Sequence, residues 1–157
     1  MTAIQLEELQ FQYPGTADPA LNSTSLKIED GDTLAILGAS GAGKTTLLNL
    51  LSGLLEPTSG TIKFNTRSVN ALSGRDRNLA QVFQFPVLYE ALSVKENLEF
   101  PLKARKFNSA FIKSRIQKIL DQLEIEDLQN GRIADLSLFQ KQLVSIGKSL
   151  VRPDISA

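Results

Sequence analysis

Gly38-Ala39-Ser40-Gly41-Ala42-Gly43-Lys44-Thr45-Thr46 matches the pattern G-x-x-x-x-G-K-[ST], and its flanks decide how it is read. Ahead of it, Thr33-Leu34-Ala35-Ile36-Leu37 is a short apolar run of the kind buried on both faces of a parallel sheet. Behind it, Leu47, Leu48, Leu50, Leu51, Leu54 and Leu55 wrap most of the way round a helix predicted from Thr45 to Leu55, with Gly53 and Pro57 as stop signals. In a strand–loop–helix setting, glycines let successive N–H groups turn toward phosphate oxygens, and the helix adds its positive end. Lys44 would reach the terminal phosphates and the Thr45 hydroxyl would ligate Mg2+. The four fixed positions recur by chance in roughly 0.6% of chains of this composition, so the pattern is read as a nucleoside triphosphate loop rather than a bare glycine turn.

Working outward, apolar alternation at Ile4 and Leu6, then at Leu9, Phe11 and Tyr13 after a phase change near Glu7-Glu8, predicts one strand. Leu26 and Ile28 predict a second, joined to it by the turn-rich residues 14–19. Thr61 to Asn65 reads as an edge-type strand and Asn78 to Gln84 as a buried one. Past Phe85-Pro86 the pattern turns helical. Val94 to Phe100 is a short helix, and Ile112, Ile116, Ile119, Leu120 and Leu123 recur at helical spacing. From Pro101 to Leu120 the six basic residues Lys103, Arg105, Lys106, Lys113, Arg115 and Lys118 stand without an acidic one, as a solvated face or a contact for a partner or lipid phosphates. A last helix is predicted from Ser137 to Val151 with Phe139, Leu143, Ile146 and Leu150 on one stripe.

The chain has 157 residues, 42% of them hydrophobic and 22% charged, as in an ordinary globular protein with a core of its own. Seventeen basic residues balance seventeen acidic ones, so no global field draws it to nucleic acid. The absence of cysteine and histidine excludes disulfides, thiolate nucleophiles, imidazole acid–base catalysis and the commonest metal ligands. The start lacks a basic-then-apolar leader, and no run approaches the roughly 20 apolar residues that span a bilayer, so a cytosolic location is expected. The sequence has no Asn-Lys-x-Asp base-reading motif, which disfavours a GTPase. Tyr13, in an exposed position ahead of the loop, either stacks on adenine or packs the end of its strand on the sheet.

Together these motifs resemble the ATP-binding subunit of an ABC transporter, and the resemblance runs along the whole chain. Tyr13 matches the aromatic A-loop position, Gly38 to Thr46 the Walker A motif, and Gln84 in Val82-Phe83-Gln84 the Q-loop. Leu136-Ser137-Leu138-Phe139-Gln140 occupies the place of the L-S-G-G-Q signature, and Ser149 to Asp154 resembles the lead into Walker B. Ala80 to Tyr89 is similar to carbohydrate and polyol importers, especially of the glycerol-uptake type. The resemblance implies an α/β fold: a P-loop NTPase core with an antiparallel β-subdomain (residues 1–84), an inserted helical subdomain (85–135), and a signature helix leading toward Walker B (136–157), truncated before the Walker B strand. It also implies ATP and Mg2+ as cofactors. Tyr13, Gly38, Ser40, Gly41, Ala42, Gly43, Lys44, Thr45 and Thr46 would hold the nucleotide, and Ser137 and Gln140 the opposite subunit's. Thr45 and Gln84 would lie at the metal, with Gln84 sensing the attacking water. The implied partners are a second ATP-binding subunit packed head to tail, transmembrane permease subunits meeting residues 85–102, and indirectly a solute-binding protein. Nucleic acid is not among them. The implied location is peripheral, on the cytoplasmic face of the membrane.

Two departures alter the expected activity. Leu138 and Phe139 replace the signature glycines, and Ser137-x-x-Gln140 is also a helix capping box, so the pair serves either as cap or as phosphate contact. No apolar run followed by Asp-Glu occurs, and no switch histidine, so this polypeptide is expected to bind ATP without significant turnover. The expected setting is one subunit of an importer, with a partner whose signature is intact. The alternatives are a non-hydrolysing nucleotide-binding module and a soluble ABC protein outside transport.

Overall fold

The alternation from Ile4 onward builds β1 (Ile4–Phe11), and the phase change is a β-bulge: the pairing slips between Leu6 and Leu9, and Glu8 takes a φ of 48°. The computed structural model describes residues 2–153 and residue 155. β2 (Leu21–Ile28), β3 (Ser59–Phe64) and β4 (Arg67–Ser68) complete an antiparallel sheet of order β2-β1-β3-β4. β3 is thus not an edge strand, because the two-residue β4 pairs along its outer side.

α1 (Lys44–Ser52) stops where Gly53 adopts a left-handed φ of 77° and returns its N–H to the Asn49 and Leu50 carbonyls. Its Leu47, Leu50 and Leu51 are buried in one core with Ile4, Leu6, Leu9 and Phe11 of β1 and Ile62 and Phe64 of β3. Leu48 and Leu54 face outward, so the helix is buried along one face rather than all round. The short α2 (Gly74–Arg77) follows β4.

Contacts divide the chain into two compact units, one through Leu79, which Ile155 joins, and one from Ala80. The second unit holds α3 (Val94–Ala104), α4 (Ser109–Leu123) and α5 (Leu138–Leu150). Their core gathers Val94, Leu98, Leu102, Ile112, Ile116, Ile119, Leu120 and Val144, so the signature helix shares the apolar centre of the inserted helices. At Gly147 a Cβ would come within 3.1 Å of Leu98 and Leu123, which lets α5 lie close on α3 and α4. The buried face of α5 therefore runs through Val144 and Gly147, while Phe139 and Leu150 of the predicted stripe are exposed.

Neither Thr33–Leu37 nor Asn78–Gln84 forms a strand, and Leu34, Leu37, Val82 and Phe83 are exposed. The physical reason lies in how parallel strands are satisfied. A hairpin strand finds its partner a few residues away, whereas a parallel strand draws its hydrogen bonds from distant segments. Asp154, the last residue matched to the Walker B lead, lies outside the described residues.

Among the six basic residues between Pro101 and Leu120, Lys103 and Arg115 make contacts within the unit. Lys103 pairs with Glu99 at 2.5 Å, and Arg115 donates to the carbonyls of Leu150 (2.8 Å) and Val151 (3.0 Å) at the end of α5.

Candidate functional site

The glycine loop is held from both ends by contacts that its sequence dictates. Gly43, the residue before α1, has a φ of 83°, and a Cβ there would stand 2.4 Å from the Ala20 carbonyl oxygen. A side chain would be strained and would clash, so glycine is required on two independent grounds. Gly41 shares the left-handed φ, and within the loop Ala42 N–H donates to the Ala39 carbonyl. Lys44 Nζ donates to the carbonyls of Gly38 (2.8 Å) and Ala39 (2.6 Å), so the ammonium is folded over the loop it belongs to.

The donor set converging here is one-sided. The first turn of α1 carries no acidic residue, and Lys44, Thr45 and Thr46 bring an ammonium and two hydroxyls to a positive helix end. That chemistry fits a polyphosphate. It does not by itself fit a bare metal, since no group of three or more Asp, Glu, His or Cys side chains is arranged for one among the described residues. A Mg2+ ion would be held by the phosphates with the Thr45 hydroxyl as the protein's ligand.

Tyr13 reaches this turn. Its hydroxyl lies 3.3 Å from Thr46 Oγ1, and its ring stands edge-on to Phe11 at 4.8 Å and 89°, leaving Tyr13 39% exposed. Tyr13 thus packs at the end of β1 and keeps part of its surface open beside the loop.

Gln84, Ser137 and Gln140 belong to the second unit. Gln84 sits in an irregular exposed segment. Ser137 Oγ accepts the Gln140 N–H at 3.2 Å and Gln140 Oε1 accepts the Ser137 N–H at 2.9 Å, a complete capping box at the start of α5. In this structure the pair therefore serves the helix's own terminus. Leu138 and Phe139, just inside it, are 66% and 72% exposed.

Sequence reasoning passed over three polar residues that shape these elements. Arg77 is 2% exposed, and its guanidinium donates to the carbonyls of Leu50, Leu51 (3.1 Å), Asn70 (3.2 Å) and Leu72 (3.1 Å). It closes the negative end of the helix whose other end carries the loop. Burial lowers its pKa, and the charge of Glu56 acts in the opposite direction. Asn97, wholly buried, exchanges hydrogen bonds with the Tyr89 backbone: Oδ1 accepts the N–H at 2.8 Å and Nδ2 donates to the carbonyl at 3.0 Å. Lys148 donates to the Val87 carbonyl at 3.1 Å, lies 4.4 Å from the Tyr89 ring centroid, and has its pKa lowered by burial. A polar residue among helical apolar neighbours was the available signal for Asn97, and an arginine four residues after Ser73 gave none for Arg77.

The ABC transporter family matches residues 21–154. The sn-glycerol-3-phosphate import ATP-binding protein of Chromobacterium violaceum is 36% identical over 152 residues, which is 97% of this chain and 41% of that protein. The spermidine/putrescine import ATP-binding protein of Legionella pneumophila is 38% identical over 153 residues, 97% of this chain and 42% of that protein. The chain thus spans less than half the length of these relatives. Among solved structures, a dimeric ATP-binding cassette in a post-hydrolysis state, bound to ADP and Pi, superposes with a TM-score of 0.84 at 28% identity. The match covers 94% of this chain and 69% of that one.

Proposed function

The chain belongs to the ABC transporter family, and from that premise we propose that it is the nucleotide-binding part of an importer's ATP-binding subunit. The observation that carries the proposal is the loop from Gly38 to Thr46 on the N-terminus of α1, a helix opened by Lys44 and two threonines with no acidic residue in its first turn. Mg2+-ATP would bind with its phosphates against this turn. Lys44 would exchange two backbone carbonyls for phosphate oxygens, the Thr45 hydroxyl would serve as a ligand to the metal, and the Tyr13 ring would be available to the base. The bound triphosphate supplies the electrophilic phosphorus; these residues only orient and neutralise it.

Turnover needs more than this. Phe139 and Leu138 would crowd a γ-phosphate presented by an opposite subunit, and the sequence holds no apolar run ending in Asp-Glu. A partner subunit with signature glycines would therefore complete the site at Lys44. The dimeric cassette with which it superposes supports pairing with a second ATP-binding subunit. The exposed apolar residues Phe85, Val87, Tyr89 and Phe100 lie in the stretch implied to meet the permease. No helix among the described residues is long and apolar enough to cross a membrane, and attachment through a permease gives the peripheral, cytoplasmic-face location. The solute we assign is a polyol or carbohydrate, on the likeness of Ala80 to Tyr89 and of the glycerol phosphate importer. A polyamine importer matches about as well, as expected if solute choice resides in other polypeptides.

Thermal melting with and without millimolar Mg2+-ATP tests the proposal. A ligand at 100 times its Kd stabilises by about 2.7 kcal/mol, so a melting shift of several degrees is expected, and Lys44→Ala should remove it. No shift in the unaltered chain, or an equal shift in Lys44→Ala, overturns the reading.

A further inference from the structure

Two side chains of α5 grip the backbone on either side of Gln84. Gln142 Nε2 donates to the Phe83 carbonyl at 3.1 Å, and Lys148 Nζ donates to the Val87 carbonyl at 3.1 Å. Only Gln84, Phe85 and Pro86 lie between the two tethered residues. We propose that Gln142 and Lys148 form a two-point latch that fixes the Gln84 segment to the signature helix, and that both are positioning residues for Gln84.

Residues 80–92 carry no helix or strand, so the segment has no hydrogen-bond ladder of its own to define its path. Its far end is set by Asn97, which engages both the N–H and the carbonyl of Tyr89. The Tyr89 ring packs on Phe100 at 4.6 Å and receives the Lys148 ammonium at 4.4 Å. Lys148 thus joins one backbone carbonyl and one aromatic face, a geometry that a flexible surface lysine adopts only when it is held. Gln142, six residues earlier on α5, holds one backbone carbonyl at the near end. The same helix begins with the capping box of Ser137 and Gln140, so any displacement of α5 is passed to Gln84 through two hydrogen bonds rather than through a slack loop.

The latch rests on geometry within one unit; only its consequence for nucleotide chemistry rests on the role proposed for Gln84. Its test is therefore run without nucleotide, on the full 157-residue chain. Tyr13 and Tyr89 are the only tyrosines and there is no tryptophan, so in a Tyr13→Phe background all tyrosine emission comes from Tyr89. Chymotrypsin cleavage after Phe83 and Tyr89 reads the freedom of the segment. Lys148→Met should raise both cleavage rates about fivefold or more, the effect of losing one hydrogen bond from a local opening, and should change the Tyr89 emission. Lys148→Arg, which keeps charge and donors, should restore both readings. Gln142→Ala should raise cleavage after Phe83 and leave Tyr89 emission as it was, and it keeps the test decisive should Lys148→Met fail to fold. Unchanged cleavage in Lys148→Met and Gln142→Ala overturns the latch, as does failure of Lys148→Arg to rescue. Equal loss of protection across all of α3 to α5 also overturns it, since the residues would then merely support the helical core. A failed latch leaves stabilisation by Mg2+-ATP intact, and a failed role for Gln84 leaves the cleavage pattern intact, so the two failures are told apart.

Discussion

Replacing Arg77 by methionine removes the charged donor shared by four backbone carbonyls while keeping most of the side chain's volume. The Leu50 carbonyl also accepts the Gly53 N–H at 3.3 Å, which leaves Leu51, Asn70 and Leu72 as the acceptors that lose most. At about 1–2 kcal/mol for each buried acceptor stripped of a donor, partly offset by no longer burying a cation, the net cost is about 2–4 kcal/mol. Burial lowers the guanidinium pKa and the charge of Glu56 opposes this; an arginine side chain stays protonated in proteins, so the cation is present in both folded and unfolded chains and the loss should not vary across neutral pH. The effect should be confined to the first unit, because every acceptor lies in it. Hydrogen exchange followed by mass spectrometry is the suitable assay, with α3 to α5 peptides as the internal control. Exchange in α1 should accelerate by about 30-fold to several hundred-fold, which is the same free energy expressed as an opening equilibrium. Folded Arg77→Met protein whose α1 exchanges within about threefold of the unaltered chain would refute the reasoning, since water would then be serving those carbonyls equally well.

Gly43→Ala should destabilise the first unit by about 3 kcal/mol, from the left-handed φ and the contact with the Ala20 carbonyl, and should abolish the ATP-dependent melting shift. An unaltered shift would show that the loop can rebuild around a Cβ. Arg115→Met should fray the last turn of α5 by about 1 kcal/mol, seen as faster exchange at residues 148–151 with α4 unaffected; equal exchange in both proteins would assign Arg115 to the solvated face. The Glu96 carboxyl, held below the ordinary glutamate range chiefly by the Ser93 N–H and then by the Ser93 hydroxyl, stabilises the start of α3 above its unfolded pKa. That contribution is lost as pH falls through the lowered folded value. Carbon-13 titration should find Glu96 below the ordinary glutamate range, and Glu96→Gln should flatten this part of the acid limb; a Glu96 titrating within that range counts against the capping box.

Much of the fold was legible because it is local. β1 and its phase change followed from the alternation of Ile4, Leu6, Leu9 and Phe11, and Gly53 was legible as a stop signal for α1, although the helix ends at Ser52 and not at the expected Leu55. The heart of α4 followed from Ile112, Ile116, Ile119 and Leu120 at helical spacing. The two misread strands, Thr33–Leu37 and Asn78–Gln84, have the composition of buried parallel strands but depend on partners elsewhere in sequence. The misread stripe on α5 has a related cause: Phe139 and Leu150 look like core by periodicity, yet the close approach at Gly147 turns the helix to bury Val144 instead.

The candidate site divides in the same way. Gly38 to Thr46 determines its own conformation and its phosphate chemistry, because the glycine positions, the lysine and the helix N-terminus act within nine consecutive residues. Sequence alone therefore singled out this loop, and together with Tyr13, Gln84 and the 136–140 stretch it identified the family. Tertiary structure decided that Tyr13 stands beside Thr46, that Arg77 closes the far end of α1, and that Gln142 and Lys148 reach the carbonyls flanking Gln84. Each of these joins residues 26 to 61 positions apart through a few hydrogen bonds or a ring contact. Such contacts leave no periodicity behind, since one correctly placed side chain suffices and its place is set by packing rather than by its neighbours in sequence.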